Sequence, residues 1–175
     1  AGQALARILN VPGPTGAGRI VTEGTVARML KSVREHFRNE YPWKPDEAGK
    51  VSLWTWSEKQ GTIVPQLVPP EVASEIVGLR FAREALALAP NQRETQVPYL
   101  ALALAGDIRR SGLDGPLPTG PGSAHDLALA VGADVALDVI AQACAANRPA
   151  VAVAALRVFS KLGTLDQVNL GGARR

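Results

Sequence analysis

Proline partitions this chain. Thirteen of its 175 residues are prolines, and each removes a backbone donor and clashes with the preceding helical turn. A proline therefore marks where a regular element starts, stops or lies at an edge. Pro42 and Pro45 close a helix that begins near Thr22. Pro69 and Pro70 open another, and "APN" at 89–91 breaks it. Pro149 stands near the start of a later helix, where the first turn tolerates it. The clearest linker is "SGLDGPLPTGPG", 111–122, in which proline and glycine alternate with polar residues.

The stretches between prolines are rich in alanine and leucine. The whole chain is 46% hydrophobic but only 5% aromatic. Alanine and leucine lead the helix scale, whereas strands favour β-branched and aromatic residues, so the expected fold is mainly α. A short helix is expected at 2–9. A longer one, capped by Thr22 or Thr25, runs to about Glu40 with Val26, Met29, Leu30, Val33 and Phe37 at helical spacing. The helix after Pro70 reaches about Leu88 and carries Val72, Ile76, Leu79, Ala82 and Leu86 as its stripe. Asn91 and Glu94 resemble a capping box, and Pro98 places the next regular helix from near Thr95 to about Arg110. Beyond the linker, Ser123 caps a short helix, Asp134 caps one to about Ala146, and Asn147 caps another that stops at Gly163. Thr164 and Gln167 announce one further start.

One segment breaks the helical pattern. In "KVSLWTWSEKQGTIVPQLVPP" two strand-like runs flank a glycine-containing turn, which reads as a β-hairpin at about 51–68 with Pro65 on an edge. A lone hairpin is marginal in water, so it must pack on helices. Trp54 and Trp56 are its candidate residues. They could form an aromatic platform for a ligand. The expected role is instead an anchor that holds the hairpin down, since buried aromatic rings dominate packing energetics.

The sequence offers little chemistry. Gly13 and Gly18 have the spacing of a phosphate-binding loop, but Arg19 and Ile20 stand where lysine and a hydroxyl residue are needed. Leu5, Ile8 and Leu9 before it are spaced for a helix, not a buried strand, and Pro12 and Pro14 stiffen the turn. A mobile connector is the expected reading. His36 lies on the charged side of its helix, and no carboxylate or cysteine stands at ligand spacing from it or from His125. His125 and Asp126 are neighbours on a helix and are not expected to face each other. Ser123 reads as a cap rather than a nucleophile, and Asp134 and Asp138 as a cap and a solvated charge. Cys144 is the only cysteine. It is expected to be buried beside Leu137 and Ile140 and inert. No cofactor or metal is implied. The net charge of +3 comes without a long basic run, so there is no strong nucleic-acid signal. No apolar run reaches the ~18 residues of a membrane span. The start at Ala1 and the ending "NLGGARR" suggest a processed chain or a fragment. The compartment is left open.

Two segments resemble helical repeats. "GLRFAREALALAPNQRETQVPYLALALA", 78–105, resembles a tetratricopeptide repeat, with Ala85 and Pro90 at its small-residue and proline positions. Ala82 departs from that pattern, where the family prefers an aromatic residue. "DVALDVIAQACAANRPAVAVAALRVFSKLGTLDQVNL", 134–170, resembles a HEAT repeat, a pair of helices joined at a polar corner. The order of the two also resembles large repeat proteins of planctomycete-type bacteria. The resemblance implies a helical-repeat, α-solenoid-like architecture with one small β-hairpin. It divides the chain into N-terminal helices and hairpin (1–68), a tetratricopeptide-like pair (69–112), a linker (113–122) and HEAT-like helices (123–175). It also implies a non-catalytic scaffold. Each repeat covers its neighbour's apolar side, so the last helices should leave an apolar surface. Leu165, Val168 and Leu170 are the expected interface residues, covered by a protein partner or by further repeats of the same polypeptide. The competing readings are a hydrolase or nucleotide-dependent enzyme using the loops at 13–20 or 118–126, and a structural subunit of a larger assembly.

Overall fold

A computed structural model describes the backbone of residues 17–172 and the side chains of residues 23–161. The described chain is mainly helical, with one two-stranded antiparallel sheet. Helix α1 (Ala17–Phe37) precedes strands β1 (Val51–Ser57) and β2 (Thr62–Val68). Then follow α2 (Pro70–Leu88), α3 (Arg93–Ser111), α4 (Ala124–Val131), α5 (Ala133–Ala145) and α6 (Pro149–Gly172). The short helix expected at 2–9 lies outside the described residues, as does Gly13. Gly18, Arg19 and Ile20 lie within α1.

Helix α1 starts five residues before Thr22, so neither Thr22 nor Thr25 caps it. No proline stands between Pro14 and Pro42 to stop the helix extending backwards. Its end comes at Phe37, three residues before Glu40. Asn39 adopts a left-handed φ of 57°, and its N–H donates to the carbonyl of His36 while that of Glu40 donates to Glu35. This paired closure satisfies two of the last carbonyls, and asparagine tolerates the left-handed position. Asn147 does the same for α5. With φ at 52°, its N–H donates to Cys144, and the N–H of Arg148 to Ala143. The expected role of Asn147 as the cap of the following helix is therefore corrected: it closes α5, and the carbonyl of Arg148 accepts the first bonds of α6. Helix α6 continues through Gly163, where a stop was expected. A single glycine inside a helix costs only about 1 kcal/mol, which the alanine- and leucine-rich flanks offset.

The buried ridge of α2 is made of small residues, Ala73, Ser74, Gly78, Ala82 and Ala85. Val72, Ile76, Leu79 and Leu86 flank it and are only half-buried. Small ridges let helix axes approach closely. At Gly78 the approach is closest: a Cβ there would stand 2.9 Å from the Cβ of His36 and 3.2 Å from Cδ1 of Leu102. The capping box of Asn91 and Glu94 is not formed. Gln92 precedes α3 without a side-chain bond. The Thr95 hydroxyl donates to the carbonyls of Ala89 (2.6 Å) and Gln92 (2.8 Å) and fixes the corner. Pro98 sits inside α3. That helix buries residues all around its circumference and touches α1, α2, α4, α5 and α6, as expected of a central helix. One core runs from Val33 and Phe37 through Leu100 and Leu104 to Val139 and Val158. Helices on both sides of the 113–122 linker thus contribute to the same core.

His36 was expected in solvent but is 1% exposed. Its ring stacks on Tyr41 (centroids 4.5 Å apart) and Phe81 (6.1 Å). Its Nδ1 is buried with no hydrogen-bond partner among the described residues. Burial pushes the imidazole pKa below its ordinary 6.5, and Glu35 only partly opposes this. The unfolded chain therefore binds this proton more readily than the folded one. Stability is full above pH 6.5 and should fall as pH drops from there towards the lowered folded value. Melting midpoints measured between pH 8 and 5 should show this slope, and His36→Phe should flatten it. An identical slope in that variant would assign the effect elsewhere.

Candidate interaction surface

Strand β1 alternates between covered and exposed positions, whereas β2 is covered mainly at Val68. Val51 and Leu53 on β1 and Val68 on β2 face inward and are each 6% exposed. They pack on Ala73, with Trp43, Val72, Ile76 and Val77 around them. Trp43 is fixed there by a 2.8 Å bond from its Nε1 to the Ser74 hydroxyl. The turn at 58–61 closes through the N–H of Gly61, which donates to Ser57 at 2.8 Å with φ at 59°. Side chains on a strand point alternately to opposite faces, so the inward position of Val51 and Leu53 sends Trp54 and Trp56 outward.

This corrects the expected anchor. Trp54 is 64% and Trp56 65% exposed. The antiparallel register sets Trp54 opposite Pro65, Trp56 opposite Ile63, and Ser52 opposite Leu67. Ile63 and Leu67 are also more than half exposed. The ribbon is therefore apolar on both faces, and the size of the tryptophans misled the expectation about which face is covered. Directly opposed side chains lie about 4.5–5.5 Å apart at Cβ, so these residues form one continuous surface. Its apolar area is on the order of 500 Å², at the upper end of what a soluble monomer leaves uncovered. Pro65 was expected on an edge, and a two-stranded sheet places it there.

A second apolar surface lies on α5 and α6. Val135, Ala136, Val139 and Ala143 of α5 and Val151, Ala154, Ala155 and Val158 of α6 face the core. Leu137 (48% exposed), Val153 and Leu156 (54%) point away from it. Cys144 is exposed as well, against the expectation that it is buried. It does share a stripe with Leu137 at i, i+7, but that stripe is the solvent side, because the buried stripe runs one position earlier, from Val135 and Ala136 to Ala143. Leu165, Val168 and Leu170 lie in α6 with side chains outside the described residues.

The loop at 118–126 was the other candidate site. Ser123 caps α4 as expected, its hydroxyl accepting the N–H of Asp126 at 3.1 Å. The neighbours His125 and Asp126 do meet, contrary to expectation: Nδ1 lies 2.8 Å from Oδ1. In the first helical turn, a short carboxylate can fold back onto the preceding ring. The other ring nitrogen lies 3.2 Å from Nζ of Lys161 on α6. The bond to His125 holds the Asp126 carboxyl below its ordinary range against partial desolvation, helped by the N–H of Gly120. With His125 5% exposed, and both ring nitrogens and the serine hydroxyl engaged, the arrangement braces α4 and the linker against α6. Arg157 adds to this brace by donating to the carbonyl of Leu113. Asp138 keeps its side chain in solvent as expected and there pairs with Arg93 of α3, which also donates to the carbonyl of Asp134 at 3.1 Å.

Among the described residues no group of three or more His, Cys, Asp or Glu side chains could hold a metal ion. No described helix is long and apolar enough to cross a membrane. The two apolar surfaces are candidate interaction sites, and no family model, curated protein or solved structure matches the chain.

Proposed function

We propose that this chain is a non-catalytic, α-solenoid-like helical-repeat scaffold whose hairpin engages a protein partner through Trp54 and Trp56. The observation that carries the reading is the outward aromatic face, with Ile63, Pro65 and Leu67 completing it. Tryptophan is enriched among the few residues that dominate interface energetics. Burying about 500 Å² of such surface supplies the apolar centre of an interface of standard size, roughly 800 Å² per partner. The inner residues hold the hairpin on α2 without using the tryptophans, so the outward face is presented by a fixed support. A second reading, a structural subunit of a larger assembly, is favoured by the exposed stripes of Leu137, Val153 and Leu156. In it, a further helical pair covers α5 and α6.

Two variants separate these readings. Trp54→Ser with Trp56→Ser should abolish stoichiometric co-purification of a partner while leaving the unfolding free energy within about 1 kcal/mol, as expected for two surface substitutions. Leu137→Glu with Leu156→Glu should leave that co-purification unchanged. If only the second pair removes the bound chain, the assembly reading replaces the hairpin reading. If neither does, both surfaces fail as interfaces.

A further inference from the structure

The arginines scattered along the sequence at 80, 83, 109 and 110 converge in space. All four line one groove of about 200 Å³ between α2 and α3. Arg80 and Arg83 stand a turn apart on α2, and Arg109 and Arg110 occupy the last turn of α3. Helical spacing explains the convergence. Ile76, Leu79, Arg80 and Arg83 form one stripe of α2, and Leu102, Gly106, Arg109 and Arg110 form the facing stripe of α3. The corner at 89–92 folds the two helices against each other.

The four guanidinium groups are not equally answered. Arg109 is held by Glu75, Nε to Oε2 at 3.0 Å, and Arg110 by Asp107 one turn back. No ion pair to Arg80 or Arg83 is found among the described residues. Both are exposed. The groove thus keeps two uncompensated positive charges beside two that are already oriented. Its accessible apolar lining is made by the half-buried Ile76 and Leu79, while Leu102 lies fully buried beneath them and Nη1 of Arg110 stands over Gly106.

We infer that this groove binds an acidic peptide segment in which carboxylates flank an apolar side chain. Guanidinium forks match carboxylates in a planar, two-bond geometry, and the apolar lining provides a seat for the side chain between them. A nucleic-acid strand fits less well. No aromatic residue lines the groove for bases to stack on, and an apolar lining gives nothing to a phosphate backbone. The site does not include the hairpin face and does not rest on the role proposed for it.

The test uses the full chain and a fluorescent five-residue peptide with acidic residues on both sides of a central leucine. Fluorescence anisotropy should show saturable binding. It should weaken about tenfold or more, some 1.4 kcal/mol, in Arg80→Glu/Arg83→Glu and in the milder Arg80→Gln/Arg83→Gln. It should weaken similarly at about 0.5 M salt, where screening acts within roughly 4 Å. The Trp54→Ser/Trp56→Ser chain should bind the peptide like wild type. The inference is overturned if the folded Gln variant binds as tightly as wild type. It also fails if the amide version of the peptide, with Asn and Gln in place of the acids, binds equally well. Tighter binding of a single-stranded oligonucleotide than of the peptide would likewise overturn it.

Discussion

Phe37→Ala should be among the most damaging single substitutions in this protein, with an expected loss of about 3–5 kcal/mol. Phe37 is 1% exposed and among the largest fully buried side chains. It joins the last turn of α1 to the core that α3 organises. Its removal opens a cavity that backbone relaxation fills only in part. It also removes the seat of Arg148, whose guanidinium carbon lies 4.9 Å from the ring centroid. Burial already pulls the Arg148 pKa below its ordinary value, with Glu75 acting against that shift. Nη1 of Arg148 has no hydrogen-bond partner among the described residues, so the ring face compensates part of a poorly solvated charge. For a chain of this length the melting midpoint should fall by roughly 10 °C. A loss of stability of under about 0.5 kcal/mol, the size expected of a surface site, would mean that α1 does not pack on this core.

Leu53→Ala should cost about 2–4 kcal/mol, and the loss should stay local. Leu53, Val51 and Val68 are the buried residues of the hairpin itself, and with Ala73 they form a core cluster separate from the main one. A two-stranded hairpin has little stability of its own, so a weakened inner face should let it open while the helices remain folded. Amide exchange across 51–68 should accelerate by roughly thirtyfold or more, the factor for 2 kcal/mol. Exchange in α3 should be unchanged. Equal acceleration in α3 would show that hairpin and helices unfold as one unit. Trp54→Ala, one residue away but facing outward, should leave exchange nearly unaltered.

Helices were legible in the sequence where proline and alanine content set them. The boundaries of α2 at Pro70 and Leu88 and the Ser123 cap follow from the backbone chemistry of single residues. The hairpin was legible too, because β-branched and aromatic runs around "SEKQG" have no helical alternative. Faces were harder to read. On α2 the large residues suggested the buried stripe, yet the ridge of Ala73, Gly78 and Ala82 goes inside because it allows close approach to α1. On the hairpin both faces are apolar, so alternation fixes which residues travel together but not which set is covered. The same ambiguity misplaced Cys144, since α5 has apolar residues on both its buried and exposed sides. The convergence of Arg80 and Arg83 with Arg109 and Arg110 depends on how α2 and α3 fold together. Local periodicity does not carry that information.

Quenching of single-tryptophan variants tests the central claim most directly. Three chains retain only Trp43, only Trp54 or only Trp56, with phenylalanine at the other two positions. Acrylamide should quench Trp54 and Trp56 nearly as it quenches a free indole, with red-shifted emission, because both rings face solvent. Trp43, half-buried and bonded to Ser74, should be shielded. Shielded Trp54 and Trp56 in the isolated, folded chain would mean that the hairpin packs through its tryptophans, and the outward face proposed for partner binding would not exist.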